Sequence, residues 1–352
     1  SRGLGDVYKR PDHAGSGPDW LIRLCSVCIA GLYGLHWVFA DVAREVHWLH
    51  EMSHSVFDLM NTIWWGIVVG ILMISALGRI PRDFVMSALG TGRGWRGILR
   101  ATFAGVLLDL CSHGILMVGA TLYERGATAG QVIAFLVSSP WNSFSLTLIL
   151  IALIGLPWTL GFIVISMAIA LVTGMIFDAC VQRGVLPSNE NRRELPDGFR
   201  FWPEAKEKLG ELHVTLPFLR SMLADGIKES RMVVRWILLG VLLASLIRAF
   251  VSPEQFALYL GPTLAGLAVT IVAATILEVC SEGSTPIAAD ILTRAHAPGN
   301  SFAFLMGGVA TDYTEIMVLR DATRSWKIAL FLPLITLPQI ILLAWIVNAM
   351  AT

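Results

Sequence analysis

DLCSHGILMVGATLYERGATAGQVIAFL, residues 109–136, returns without a gap as EVCSEGSTPIAADILTRAHAPGNSFAFL, residues 278–305. Between 111 and 136, nine of 26 positions are identical at an offset of 169. Cys111 pairs with Cys280, Ser112 with Ser281, Gly114 with Gly283, Ala120 with Ala289 and Arg125 with Arg294. Gly130, Ala134, Phe135 and Leu136 match Gly299, Ala303, Phe304 and Leu305. Chance pairing in this composition gives roughly two. A repeat at fixed offset outranks local signals in deciding architecture, so the chain reads as two copies of one unit.

Outward from this core, the apolar run 57–79 corresponds to 231–251, FVMSALG (84–90) to FALYLG (256–261), and 157–180 to 328–350. Run 21–40 has no counterpart and is an added first helix. The expected organisation is a polar tail (1–20), an extra transmembrane helix with an outer His-rich segment (21–56), a first repeat (57–182), a hydrophilic linker (183–230) and a second repeat (231–352).

The 352 residues are 55% hydrophobic and 15% charged, with a mean hydropathy of +0.67. Soluble domains carry about a quarter charged residues, so the chain is expected in a bilayer. Its apolar runs approach the roughly 20 residues that a membrane helix needs. The first run is not followed by a signal-cleavage pattern. Net charge is zero, which leaves no attraction to nucleic acid. The five cysteines lie in or beside apolar runs, unlike a secreted disulfide framework. No G-x-S-x-G, Walker A or H-E-x-x-H pattern is present, so no enzyme is expected, and active transport would need an ion gradient or a partner.

Charge sets a topology. Ten Lys or Arg between Arg183 and Arg235 place the linker in the cytoplasm by the positive-inside rule. Within it, PEAKEKLGEL opens a short amphipathic helix, and a stretch from Pro217 runs into the next span. Arg2, Lys9, Arg10 and Arg23 put the N-terminus inside as well. The cluster Arg79, Arg82, Arg93, Arg96 and Arg100 marks the return of the second helix. Treating 98–125 as a re-entrant hairpin from the cytoplasm and 263–294 as one from outside satisfies the parity, with Arg320, Arg324 and Lys327 again cytoplasmic and the C-terminus outside. The expected fold is an all-α polytopic protein of the inner (plasma) membrane. It has two inverted-topology repeats with re-entrant hairpins and broken helices, plus one extra N-terminal helix. Two hairpins from opposite faces bring both CS tips towards the bilayer middle, as in inverted-repeat transporters.

Non-helical backbone at that depth survives only where protein or a water-filled cavity satisfies it. Both CS-x-G stretches, read as breaks at Gly114 and Gly283, therefore predict a cavity. A second pair of breaks aligns at the same offset: Ser138-Ser139-Pro140-Trp141-Asn142-Ser143 and Gly307-Gly308-Val309-Ala310-Thr311-Asp312. Half-helix ends offer N–H and C=O groups to a substrate; the plainer reading is close packing through small residues. The candidate substrate-binding set is Cys111, Ser112, His113 and Asn142 in the first copy, and Cys280, Ser281, Glu282, Thr311 and Asp312 in the second.

Acids distinguish the second copy. Glu278, Glu282, Asp290, Asp312 and Glu315 fall within 38 residues, and each costs about 2.5–3.5 kcal/mol at the centre of a membrane helix. Asp109, Glu278, Asp290 and Glu315 are the candidates for proton or ion coupling. Asp109, Cys111 and His113 face Glu278, Cys280 and Glu282 in register, a donor set suited to a bound metal ion such as zinc or copper. Buried cysteines are also common packing residues. On the outer side, His47, His50, Glu51 and His54 share one helix face and form a second candidate metal set, or the polar face of an interfacial helix. Cys25 and Cys28 read as packing residues within an apolar helix.

CSEGSTPIAADILTRAHAPGNSFAFLMGGVAT (280–311) resembles the signature of the predicted permeases that include the organoarsenical efflux permease. In that family a cysteine motif is followed by S-x-P-I-A-x-x-L, then G-x-P-x-G-x-x-x-A-F-L and a G-P-A-T-N break. DGIKESRMVVRWILLGVLLASLI (225–247) resembles the span that opens the family's second half. The resemblance covers most of 57–352. It implies a multi-spanning permease with inverted halves that moves a metalloid or metal species, with the cysteines as candidate ligands. Here Asp312 replaces the break's final Asn, Val309 its Pro, and Glu315 follows. That added negative charge points to a cationic species or to proton coupling. The expectation is a secondary transporter of a small metal or metalloid species. A proton-coupled exporter of a thiol-containing or other organic solute is one alternative, and a non-transporting membrane scaffold or sensor another. The expected partners are the substrate and the lipid bilayer, with a homo-oligomer also open.

Overall fold

The computed structural model describes residues 20–38, 46–77, 94–107, 112–124, 126–138, 144–189, 216–277 and 281–351. Among the described residues there are fourteen α-helices and no strand. An extra helix α1 (Trp20–Val38) precedes the first set: α2 (His47–Leu77), α3 (Trp95–Leu107), α4 (Ser112–Glu124), α5 (Ala129–Ser138), α6 (Phe144–Ile154) and α7 (Leu156–Gln182). The second set is α8 (Leu216–Phe250), α9 (Pro253–Leu260), α10 (Leu264–Leu277), α11 (Ser281–Thr293), α12 (Pro298–Thr311), α13 (Tyr313–Thr323) and α14 (Trp326–Ala351).

Six helical stretches are long and apolar enough to cross a membrane: Trp20–Val38, His47–Leu72, Leu156–Gln182, Val233–Phe250, Pro298–Thr323 and Trp326–Ala351. The pair α9 and α10, bent by 95°, makes a seventh if it is one span. The protein is therefore a multi-pass membrane protein, with large apolar side chains such as Val164, Leu258, Ile276 and Leu334 facing outwards.

Helix boundaries carry the repeat further than residue identities do. Shifting by 169 superposes the limits of α4 on α11 and of α6 on α13, and the starts of α2 on α8 and α3 on α10. The α6–α7 junction is Gly155, in a left-handed conformation with φ 84°. Its counterpart Arg324 is also left-handed, with φ 53°, but is followed by an extra residue, Ser325. From there the offset is 170. At that shift the buried stripe of α7, Thr159, Phe162, Ser166, Ala170 and Gly174, matches Ala329, Leu332, Thr336, Ile340 and Ala344 of α14.

The longest helix contact is between the equivalent helices α2 and α8. They run antiparallel. Asp58, early in α2, lies 3.7 Å from Arg248 near the end of α8. Trp48 stacks on Phe250 with centroids 6.1 Å apart. Among the described residues helix α1 packs chiefly on this pair. In each half, the helix after the hairpin sits between hairpin and last helix: α5 packs on α3, α4 and α7, and α12 packs on α10, α11 and α14. The halves also exchange contacts, with α4 against α13 and α6 against α11.

Several sequence expectations shift. The His-rich segment is not a separate outer element but the first turns of α2, because no Gly or Pro interrupts residues 47–65. Gly114 and Gly283 lie inside α4 and α11, which start at Ser112 and Ser281. Gly283 instead gives α8 its closest approach: a Cβ on Gly240 would collide with the Gly283 carbonyl oxygen. Gly307 to Thr311 remain helical, and the chain breaks only at Asp312. The amphipathic helix expected at 203–212 lies outside the described residues, whereas the stretch from Pro217 is continuous with α8.

Candidate functional site

Around the second copy of the repeat, four helix ends gather. Near the start of α10, the Leu260 and Gly261 carbonyls accept from Asn300 Nδ2 of α12, at 2.9 and 2.7 Å. At the end of α11, Asp290 meets Arg248 of α8, and Arg294 Nη2 donates to the Val251 carbonyl at 3.1 Å. The starts of α10 and α12 and the ends of α8 and α11 therefore lie together. At the deep end, Thr275 of α10 and Thr311 of α12 share a hydroxyl hydrogen bond of 2.9 Å.

The first hairpin is built alike. Gly94 before α3, Gly126 after α4, Thr128 before α5 and Asp178 near the end of α7 line one cavity. The two mouths lie at opposite ends of α7. Phe162, early in that helix, packs edge-on against Phe302 of α12 at 5.4 Å, close to the second mouth. Asp178 is sixteen residues further on, about 24 Å of helix.

Both buried glutamates of the expected set occupy first helical turns, where the helix N-terminus favours negative charge. Glu282 is 4% exposed in α11 and Glu315 3% exposed in α13. Asp312 caps α13, its carboxylate accepting from Thr314 N at 2.8 Å. Ser284 and Thr285 are buried on α11, where the first copy carries Ile115 and Leu116. The acid-rich copy is thus polar inside as well. Asp290, 1% exposed, receives Arg248 in a fork: Nη2 at 2.6 Å, Nε at 3.0 and 3.1 Å. Arg294 Nη1 stands 3.8 Å from the same carboxylate.

Asp109, Cys111, Asn142, Glu278 and Cys280 lie outside the described residues, and Ser112, His113 and Ser281 are described only as helical backbone. Among the described residues no three His, Cys, Asp or Glu side chains gather closely enough to hold a metal. His50 and His54 stack at 6.2 Å, and His36 of α1 joins them at 6.3 and 5.1 Å. His47 and Glu51 share the same first turns of α2.

Two helix-end residues escaped the sequence reading. Asp178 Oδ1 accepts from Gly130 N at 3.0 Å, and Oδ2 from Thr128 Oγ1 at 3.1 Å. Asn348 Oδ1 accepts from Gly299 N at 2.7 Å, and its Nδ2 donates to Asn300 Oδ1 at 2.8 Å. Gly130 and Gly299 are the repeat pair; the bare backbone is needed because a Cβ would strike the carbonyls of Gly174 and Ala344. The one-residue shift in α14 hid the match between Asp178 and Asn348.

A family described as predicted permease matches residues 49–349. The chain belongs to this permease family. The match takes in both hairpins, both mouths and the α2–α8 pair, and leaves α1 outside. A UPF0718 protein of Methanocaldococcus jannaschii is similar at 25% identity over 152 residues. That alignment covers 42% of this chain and 40% of the relative, so the chain spans less than half of that protein's length. No solved structure matches the permease.

Proposed function

We propose that the protein is a secondary transporter built from two inverted halves, with its substrate site between the hairpin tips and the breaks ahead of α6 and α13. The observation that carries this reading is the pair of hairpin mouths at opposite ends of α7, with equivalent helices α2 and α8 antiparallel. Such halves rock about a shared midplane site and expose it to each side in turn. Multiple membrane spans and membership of a permease family support the same class. Residence in the inner (plasma) membrane, with the linker cytoplasmic and the C-terminus outside, is part of the proposal.

The substrate proposed is a small metal or metalloid species. Cys111 and Cys280 would supply soft ligands, and Ser112, His113, Asn142, Ser281, Glu282, Thr311 and Asp312 the remaining contacts. Two buried glutamates within the membrane-spanning bundle favour a cationic species or a carried proton over an anion. Glu315, Glu278 and Asp109 are the proposed proton carriers. Asp290 serves instead as a clamp, because Arg248 grips its carboxylate in a fork and the Arg294 guanidinium stands 3.8 Å away. Calorimetry of the purified protein with Zn²⁺, Cu⁺ and an arsenical, beside Cys111→Ala and Cys280→Ala, tests the site. Affinity lost in both variants supports it; affinity unchanged in both removes the cysteines from the mechanism.

A further inference from the structure

The cavity at the first mouth has a volume of about 190 Å³ and is lined by Thr128, Asp178, Gln182, Ser188, Asn189 and backbone around Gly94 and Gly126. We propose that it binds a small, partly hydrated monovalent cation held by the Asp178 carboxylate. The repeat supplies the control. Asp178 and Asn348 stand at equivalent places and accept the same backbone N–H, from Gly130 and Gly299. Holding the end of the following helix therefore needs an acceptor, and an amide provides it. The negative charge at Asp178 is surplus to that task.

In both halves an amide side chain spans two carbonyls at the mouth, Asn189 those of Tyr123 and Ala127 in the first, but in the second that amide also holds the acceptor. Asn348 binds Asn300, which in turn spans the Leu260 and Gly261 carbonyls. In the first half the counterpart of Asn300 is Gln131, whose Oε1 turns back to Thr128 N at 2.9 Å. Asp178 is left facing open volume. Among the described residues its partners are two neutral donors, Thr128 and Gly130, and no Lys, Arg or His.

The lining decides the ligand class. Carboxylate, hydroxyl, amide and carbonyl oxygens are hard donors that suit hard cations, and among the described residues neither Cys nor His lines the cavity. One carboxylate balances one positive charge, which favours a monovalent over a divalent ion. The volume equals about six waters at ~30 Å³ each, so the ion keeps part of its hydration shell. The site differs in chemistry and position from the proposed substrate site and does not depend on it. A role for this ion in driving transport does rest on the transporter reading.

Thermal unfolding of the full chain in detergent or nanodiscs, in NaCl against choline chloride of equal ionic strength, tests the binding. Sodium should raise Tm by a few degrees, since a ligand of the native state stabilises by mass action. Asp178→Asn should match the wild type in choline and show no response to sodium. If that variant fails to fold, Gln182→Ala and Ser188→Ala take its place and should weaken the response. Potassium acting like sodium also supports the site. Equal Tm in sodium and choline, a response only to Mg²⁺, or a sodium response kept in Asp178→Asn would overturn the proposal. So would a variant destabilised equally in every salt, because the charge would then serve the fold and not an ion.

Discussion

Replacing Arg248 by Ala removes the fork that ties the end of α8 to the end of α11. Asp290 is 1% exposed and the Arg248 side chain 19%, and three contacts of 2.6–3.1 Å join them. After the substitution, the Arg294 guanidinium at 3.8 Å remains as an ion-pair neighbour but not as a hydrogen-bond donor. Removing one partner of a buried pair costs about 3–5 kcal/mol, because the other charge stays buried with its hydrogen bonds unmade. With an unfolding entropy of about 2.1 cal/mol/K per residue, a chain of this length loses roughly 4–7 °C in Tm. Helices that persist in the denatured membrane state lower that entropy, so the shift is at least this large. Asp290→Asn keeps an acceptor and leaves Arg248 near Asp58, and should cost only about 1–3 kcal/mol. Arg248→Met with Asp290→Leu removes both charges and should recover most of the stability lost by Arg248→Ala. Thermal unfolding followed by tryptophan fluorescence gives the full double-mutant cycle. A loss below about 1 kcal/mol for Arg248→Ala would place the pair with exposed salt bridges, which contribute little, and would refute its role as a clamp of the second mouth.

Gly240→Ala should destabilise by about 1–3 kcal/mol through overpacking, since its Cβ meets a main-chain carbonyl that cannot move aside as a side chain would; chemical denaturation measures it. Asn348→Leu strands Gly299 N and an Asn300 oxygen and should cost about 1–3 kcal/mol for each group, read by the same assay. Glu282→Gln and Glu315→Gln should reduce substrate flux into liposomes and flatten its dependence on a pH gradient while leaving Tm within a few degrees. Flux and pH response equal to wild type in both would remove these acids from the mechanism.

The duplication was legible in the sequence because the hairpin segment diverged without gaps, and basic residues sufficed to propose opposed halves. Glycine was the unreliable sign. A glycine that breaks a helix and one that lets two backbones touch look alike in sequence; Gly283 and Gly307 proved to be inside helices, with Gly283 against α8. The His-rich stretch was set apart because its polarity ends near residue 54, whereas α2 continues through the change. Asp178 was missed for a different reason. It sits in an apolar run, and at an offset of 169 it aligns with Val347. Only the register change at Ser325 brings Asn348 opposite it.

That inserted residue bears on how the two halves differ. Ser325 lies between left-handed Arg324 and the start of α14, and its hydroxyl accepts from Ile328 N at 3.4 Å. The insertion is absorbed at the helix start, so the buried stripe of α14 keeps the spacing of α7. The scaffold thus accommodates a change in register without losing its packing. The second mouth is closed by amide hydrogen bonds, Asn348 to Asn300, and locked by Arg248, Asp290 and Arg294. The first keeps the same backbone anchor at Gly130 but faces its carboxylate into an open polar cavity. An identical pair of mouths would give equal access from both sides. The second mouth closes on amides and an Arg–Asp–Arg cluster while the first turns a carboxylate towards a cavity, so on the alternating-access reading proposed above the two ends differ in what must be broken to open them.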